Sequence, residues 1–513
     1  MIKIFSKIEG YCMNFEILAF IIYFVCMLGI GVYFFTRAQS VSATEKDYFL
    51  GGRKMGPWVT ALSAQASDMS AWLLMGLPGS ILAFGLGQAW IGIGLVIGTA
   101  LNWIFCAKRL RQLSKAADDA ITIPEYLQNR FFTKSPALSI LCAIVFMISF
   151  TIYVASGFVA GASVFTTLVP SLTTRTATII FAAIILLYTF LGGYKAVSWT
   201  DFFQGILMLA ALIAVPILVV ATTHLDTASL SQVIIGSDGT EYAFTSNLFS
   251  ATWQEVVSGL AWGLGYFGMP HILVRFMAIE KPSMIKKSAT VAIIWVVISL
   301  GAAIVMAYLG RMVVGAELLA AGNQKLVFVA LARQYFPAFI SGILLAAIIA
   351  ASMSTADSQL LVASSSFTND IYKQVIRKDA DNKELLWVGR VLVLIVAVIA
   401  FFIANSRGSG AQAIMEMVEN AWGLFGAAFG PVILLSLFWK RFNHAGAIAG
   451  IAAGAVVDLV WYNLLTDVTG VYEILPGFVA GLICAVIVTL LTKAPEQKVV
   501  DLFEKATAKD FDE

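Results

Sequence analysis

Asp68 lies in the stretch Ser63-Ala-Gln-Ala-Ser-Asp-Met-Ser-Ala-Trp72, inside a run whose other residues suit lipid. An ionised carboxylate at bilayer depth costs at least roughly 2.5 to 3.5 kcal/mol, so it must face a partner, a cavity or a cation. Its neighbours Ala64, Ala66, Ser67 and Ser70 are small or carry hydroxyls, and Gly76, Pro78 and Gly79 follow. That composition lets a helix open and turn its carbonyls inward. A second polar stretch, Ala350 to Gln359, sets Ala351, Ser354, Thr355 and Ser358 at i, i+3, i+4 and i+7, on one helical face. Hydroxyls so placed also serve close helix packing or bond back to their own carbonyls. In a chain that also carries an opened acidic helix they favour a site for a cation. Sodium is a hard ion that takes oxygen ligands, and neutral hydroxyls and carbonyls suit a monovalent ion that must also leave.

Trp262, Tyr266 and Pro270 recur at i, i+4 and i+8, a stripe that reads as core packing or as the wall of a small, partly apolar pocket. Gly259, Gly263, Gly265 and Gly268 beside them favour the pocket, and Tyr153, in a helix rich in Gly and Ala, is placed to close it. Arg53 reads as a marker of the basic side of a membrane protein or as a gate at the entry. Asp201 is expected at a helix N-terminus, satisfied by the dipole, with a second cation role as the alternative. Asp357 is a functional suspect by depth alone. Glu416 and Glu419 are expected to open a span near the outside and to be solvated. There is no phosphate-binding loop, no paired catalytic acids and no Ser/His/Asp arrangement. With only three histidines, general-base chemistry is poorly supplied, so an enzyme is not expected. The five cysteines are scattered, without metal-ligand spacing, and no organic cofactor is implied.

The elements that must position these residues are membrane helices. With 59% hydrophobic and 12% charged residues and a mean hydropathy of +0.86, no water-soluble surface can be built. A net charge of +2, dispersed at loop ends, carries no message about nucleic acid. Runs of about 20 apolar residues predict helices at 14–36, 57–80, 85–106, 136–166, 176–194, 201–222, 252–279, 287–312, 338–368, 386–405, 411–438, 444–464 and 474–492, thirteen in all. Met13 is an alternative start to Met1, leaving the first dozen residues as an extension. Loops carrying Arg53, Lys54, Lys108, Arg109, Arg111, Lys115, Lys286, Lys287, Lys373 and Arg377 fall on one side. The connections 223–250 and 465–472 have no Lys or Arg and fall on the other. The positive-inside rule then puts the N-terminus outside and the C-terminus in the cytoplasm.

The glycine- and proline-rich spans 57–80 and 252–279 stand five spans apart, which is the pointer to inverted repeats with a midplane site. The expected division is an N-terminal extension, peripheral helix and loop (1–56), a first five-helix repeat (57–222), an outer loop (223–250), a second repeat (251–438), two peripheral helices (439–492) and a tail (493–513).

On Gly51-Gly-Arg53, Ala66-Ser-Asp-Met-Ser-Ala-Trp72, Trp262-Gly-Leu-Gly-Tyr266 with Pro270-His271, and Met353-Ser-Thr355, the chain resembles the sodium/solute symporter family, most closely its proline-carrying branch in bacterial inner membranes. The similarity runs from about Tyr48 to Pro495. It implies an all-α, leucine-transporter-like core of five plus five helices and symport of L-proline with sodium. It also implies a sodium site from the carbonyls of Ala66, Met69 and Ala351 and the hydroxyls of Ser354 and Thr355. Asp68, with Ser70 and Asp201, would tune sodium affinity and coupling, and Tyr153, Trp262, Tyr266 and Pro270 would surround proline. No obligate protein partner is implied beyond the bilayer. The chain departs from the branch pattern at Asp357 and Ser358 and adds Glu416 and Glu419. Two other readings stand beside this one: a symporter of the same fold for pantothenate, a sugar or a carboxylate, and a transporter-like membrane sensor. The short tail after Lys493 argues against the sensor.

Overall fold

A computed structural model describes the chain except residues 1, 40–44, 134, 192, 238, 407–410, 509–510 and 512–513. Within helices the side chains of 2–14, 35, 37–39, 45, 188, 190–191 and 411–412 also fall outside the description, so Met1 and the side chains of Cys12 and Met13 do too. In chain order the main helices are α1 (Ile2–Gln39), α2 (Pro57–Met69), α3 (Gly76–Phe84), α4 (Ala89–Leu101), α5 (Ala137–Leu168), α6 (Thr174–Leu191) and α7 (Tyr194–Thr222). There follow α8 (Trp253–Ala261), α9 (Pro270–Ala278), α10 (Ile285–Val313), α11 (Ala338–Ser366), α12 (Asn382–Ser406), α13 (Ala411–Phe438), α14 (His444–Leu464) and α15 (Ile474–Leu491). Among the described residues ten helices are long and apolar enough to cross a membrane, and Ala71–Phe84 and Thr174–Leu187 are shorter apolar ones. The chain is a multi-pass membrane protein.

Burial separates core from periphery. The most apolar windows of α11 and α13 are 78% and 83% buried, against 28% for α1 and 33% each for α12, α14 and α15, whose exposed sides are apolar and suited to lipid. Helix α11 packs against α1, α5, α7 and the opened helix α2, while α13 packs against α5 and the second broken segment.

Both expected breaks exist, but their chemistry differs from expectation. The first falls at Ser70, ahead of Gly76 and Pro78. Ser70 takes φ 46°, a conformation that costs a non-glycine residue of order 1–3 kcal/mol, and its hydroxyl caps the Trp72 amide at 3.1 Å. Pro78 falls in the first turn of α3, where its missing N–H leaves no helix bond unmade. The second break is a 3₁₀ segment, Trp262–Phe267, followed by extended Met269 and by Pro270 as the first residue of α9. Trp262, Tyr266 and Pro270 therefore do not share one continuous helical face.

At one end of the bundle buried arginines cap helix ends. Arg53 donates to the carbonyls of Met277 (2.5 Å) and Ala120 (2.7 Å), and Arg111 to those of Ile279 (2.7 Å) and Glu280 (2.9 Å). The bonds to Met277, Ile279 and Glu280 satisfy carbonyls at and just beyond the C-terminus of α9 that no helical N–H can reach. At the opposite end the segment 223–250 carries a small antiparallel pair, β1 (Ile234–Ile235) with β2 (Glu241–Tyr242). That segment is tied down by the Leu86 amide on the Thr245 carbonyl (2.8 Å) and by Arg311 on the carbonyls of Gln232 (2.8 Å) and Tyr242 (3.1 Å). Gly85 (φ +97°) lies so close to the Thr245 backbone that a Cβ could not fit.

Candidate functional site

The site forms where α11 crosses the opened end of α2. Ser354 donates to the Ala66 carbonyl at 2.8 Å and to the Ala351 carbonyl at 3.2 Å, so three of the expected sodium-binding residues converge. Thr355, on the next position of α11, is buried, and its Oγ1 has no hydrogen-bond partner among the described residues. Met69 is buried at the last turn of α2, directly before the break at Ser70. The helix must open there for carbonyls to face inward, because carbonyls inside a regular helix are already bonded along its axis.

Asp68, 3% exposed, is held from two sides. Tyr266 donates to its Oδ2 at 2.6 Å, and Tyr153 donates to its backbone carbonyl at 3.3 Å. At that distance it lies at the short end for an O–H···O hydrogen bond. It joins the first broken helix to the second, so residues expected in separate roles, one for the ion and two for the solute, belong to one hydrogen-bonded unit.

An aromatic wall closes the site toward the 223–250 end. Trp262 stacks on Trp72 with centroids 5.4 Å apart and lies 6.3 Å from Trp422 and 5.3 Å from Tyr472. Trp422 donates its indole N–H to the Trp262 carbonyl at 2.8 Å and meets Tyr266 edge-on at 5.1 Å. Gly265 lies beneath the Trp422 indole, where a Cβ would collide with it. The Tyr266 carbonyl, freed by the 3₁₀ turn, accepts from Asn102 at 2.9 Å. Pro270 is buried at the start of α9, next to His271, whose ring lies 6.5 Å from Tyr153.

Asp201 departs from its expected place. Helix α7 begins at Tyr194, so Asp201 lies two turns inside it, beyond the reach of the N-terminal amides. Its Oδ2 instead accepts from Arg275 (3.1 Å) and Ser63 (2.7 Å), and Arg275 also reaches Ser358 (2.5 Å) and the His271 carbonyl (2.6 Å). Asp357 lies in the electrostatic field of Asp201 and Arg275, fully buried, with neither oxygen in a hydrogen bond among the described residues. The hydroxyl stripe therefore divides: Ser354 bonds to the opened helix, Ser358 to the arginine, and Thr355 to neither among the described residues. Glu416 and Glu419 are half-buried in α13 rather than solvated at its start. Arg53, 5% exposed, bonds to Met277, Ala120 and Ser114 and pairs with Asp119 at 2.8 Å, at the capped end and away from the aromatic wall.

Arg275, Ser63, Asn102 and Trp422 escaped the sequence reading. Arg275, like Asp68, is an ionisable group inside an apolar span, and that is the signal it leaves in the sequence. Ser63, Asn102 and Trp422 offered no comparable signal.

The profile of the Sodium:solute symporter family matches residues 48–454. The chain is 43% identical over 501 residues to the sodium/proline symporter of Haemophilus influenzae, covering 96% of this chain and 97% of that one. It is 41% identical over 483 residues to the osmoregulated proline transporter OpuE of Bacillus subtilis, covering 94% and 96%. It is 43% identical over 466 residues to the sodium/proline symporter of Escherichia coli, covering 90% and 91%. Its fold is similar to that of a Na+-coupled sialic acid symporter in a substrate-bound outward-open state, with TM-score 0.73 and 19% identity over 94% of this chain and 99% of that one.

Proposed function

The chain belongs to the sodium:solute symporter family, and from that premise we propose that it moves L-proline into the cell together with sodium by alternating access. The observation that carries the reading is the meeting of Ser354 with the Ala66 carbonyl beside the unpartnered Thr355 hydroxyl. Neutral oxygens from an opened helix and a facing helix make a ligand set for a monovalent hard cation. Sodium sits among the carbonyls of Ala66, Met69 and Ala351 and the hydroxyls of Ser354 and Thr355. Asp68 supplies a nearby negative charge and, through Tyr266, transmits the ion's presence to the solute pocket. Tyr153, Trp262, Tyr266 and Pro270 line that pocket. Ser70 sets the break, Asp201 balances Arg275, and Arg53 latches the entry side of α9.

Counting each broken helix as one crossing, and Thr174–Leu191 as another, brings the ten long helices to thirteen. Residues 57–222 and 251–438 then form two five-helix repeats of opposite orientation, with the N-terminus outside, the C-terminus inside and the whole in the cytoplasmic membrane. Sodium binding draws the two broken helices together and forms the pocket, and rocking of the repeats releases both cargoes inward. One sodium crossing 100 mV supplies roughly 2.3 kcal/mol, enough to accumulate solute well over tenfold. No covalent step is involved and no organic cofactor is needed.

Uptake of labelled proline into proteoliposomes tests this. Uptake is expected to require inward sodium and to be competed by proline but not by pantothenate, sugars or carboxylates. Uptake indifferent to sodium would sink the coupling, and competition by one of the other solutes would reassign the cargo.

A further inference from the structure

Two acids outside the ion and solute site lack the partners their burial demands. Asp458, inside α14, and Glu473, at the start of α15, are 0% and 1% exposed. Both oxygens of Asp458 and Oε1 of Glu473 have no hydrogen-bond partner among the described residues, while Glu473 Oε2 accepts from Thr466 at 3.3 Å. The two side chains and Tyr472 converge on one glycine. A Cβ on Gly423 of α13 would stand 3.1 Å from Asp458 Oδ1, 3.4 Å from Glu473 Cγ and 3.4 Å from the Tyr472 ring.

Among the described residues neither acid forms an ion pair. The sequence has no Lys, Arg or His between His444 and Lys493, none from 411 to 438 in α13, and none from 251 to 270. The titratable groups on the packed elements are acids, phenols and thiols: Glu416 and Glu419 of α13 and Tyr472 itself, with Tyr153 and Cys142 of α5, Tyr462 of α14, Cys484 of α15, Tyr266, Glu255 of α8 and exposed Asp467 in the connection. Two neighbouring carboxylates cannot both stay ionised in such surroundings. A metal cation would need room and several free oxygens. Here Gly477 packs so tightly that a Cβ on it would lie 2.7 Å from Ala427 Cβ and 3.0 Å from Asp458 Cβ, and the Tyr472 hydroxyl already donates to the Glu419 carbonyl at 2.7 Å. A proton needs no room.

We propose that Asp458 and Glu473 are a proton-binding pair on the outer side of the protein, which holds Tyr472 against Trp262 and so makes proline binding depend on external pH. Each proton comes from bulk water and converts one carboxylate to a carboxylic acid whose O–H donates to the other; no bond other than O–H forms or breaks. Loss of the proton leaves two like charges, which separate or draw in water and displace Tyr472, the residue joined to Glu473 in the chain. Tyr472 lies 5.3 Å from Trp262, and its amide donates to Ser258 at 3.0 Å, so its movement reaches the aromatic wall directly.

The inference rests on the symport reading for its consequence but not for the proton itself, and two measurements keep these apart. Infrared difference spectra of the full-length chain in lipid, taken between about pH 6 and about pH 10, are expected to lose an acid carbonyl band that is absent from the Asp458→Asn/Glu473→Gln double variant. In proteoliposomes with buffered interiors, the same rise in external pH is expected to raise the KM for proline about fivefold. The double variant, neutral at every pH, should keep the low KM throughout; if it fails to fold, Asp458→Asn alone, which leaves no second charge beside Glu473, should keep it too. A wild-type spectrum without the band, or the same band in the variants, overturns the pair. A pH-dependent KM that persists in the variants overturns its link to the pocket. If no form of the protein takes up proline, the symport reading fails while the infrared band still decides the pair.

Discussion

Asp68 and Asp201 are both buried aspartates within reach of the opened helix α2, and they are held in opposite ways. Asp201 has a cation: Arg275 at 3.1 Å, with Ser63 and Ser358 completing the cluster. Asp68 has phenols: Tyr266 on its carboxylate and Tyr153 on its carbonyl. A carboxylate met by a guanidinium is neutralised permanently, whereas one met by neutral donors keeps a net charge that a passing cation can answer. The first arrangement holds helices together, and the second is suited to respond. In the sequence Asp201 reads as a helix opener satisfied by the dipole; in the fold it is the position of Arg275 that separates the two acids.

The largest expected effect comes from removing the guanidinium. Arg275→Leu leaves Asp201 and Asp357 buried without a counter-charge, and breaking a buried pair costs about 3–5 kcal/mol. Thermal unfolding in detergent should show little folded protein, while Arg275→Lys, which keeps a charge but not the fork that spans Asp201, Ser358 and His271, should recover part of it. A normally stable Arg275→Leu protein would remove the structural half of the comparison.

Next come the groups assigned to the ion. Thr355→Ala removes a hydroxyl proposed to hold the ion, and the sodium concentration for half-maximal uptake should rise about tenfold, equivalent to ~1.4 kcal/mol. Asp68→Asn should produce a similar rise with an unchanged unfolding temperature, since the amide can still accept from Tyr266. Asp201→Asn should do the reverse, lowering the unfolding temperature more than the sodium affinity. If the two Asn variants exchange these signatures, the roles of the two acids are the wrong way round.

A smaller effect is expected at the link between ion and solute. Tyr266→Phe removes one hydrogen bond from Asp68 while keeping the ring against Trp422, so both sodium and proline affinity should fall about threefold to tenfold, near 1 kcal/mol. A change in proline affinity alone would mean that Tyr266 touches the solute without joining it to the ion.

These contrasts also mark what could be read in advance. The hydroxyl stripe was legible because helical periodicity places Ser354 and Thr355 on one face whatever the tertiary structure. The two opened spans were legible because their glycines, prolines and hydroxyls are out of place in lipid-facing rods. The point of opening was not. Gly76 and Pro78 draw the eye, yet a proline in a first turn costs nothing, and Ser70 with its capping hydroxyl makes the break. Sequence alone starts α7 at 201, seven residues late, because Asp201 suits a helix N-terminus. In the fold Gly193 (φ +86°) turns the chain and Tyr194 begins the helix. Asp201 is then polar because it meets Arg275, not because it meets water. Pairings of this kind join residues far apart in sequence and leave no local pattern.

Lys325 supplies the smallest test and the mirror image of Asp68, a buried charge with only a neutral partner but of opposite sign and outside the spans. It lies in the turn Gln324–Leu326, 7% exposed, with its ammonium donating to Ser163 of α5 at 3.1 Å. Burial lowers its pKa from 10.5 to about 8. Between about pH 8 and the unfolded value of 10.5 the unfolded chain holds more protons than the folded one, so stability should rise with pH across that window. Below about pH 8 both states are charged and the full cost of burying the ammonium remains. Lys325→Met keeps the length and apolar stem but removes the charge. It should raise stability near neutral pH by about 1 kcal/mol, an order-of-magnitude figure net of the lost Ser163 bond, and it should abolish the rise seen in the parent. A variant that instead loosens at neutral pH would show that the hydrogen bond to Ser163 outweighs the burial of the charge, and that a neutral partner can satisfy a buried ion here. The same possibility would then have to be allowed for Tyr266 and Asp68, whose unsatisfied charge is what distinguishes that acid from Asp201.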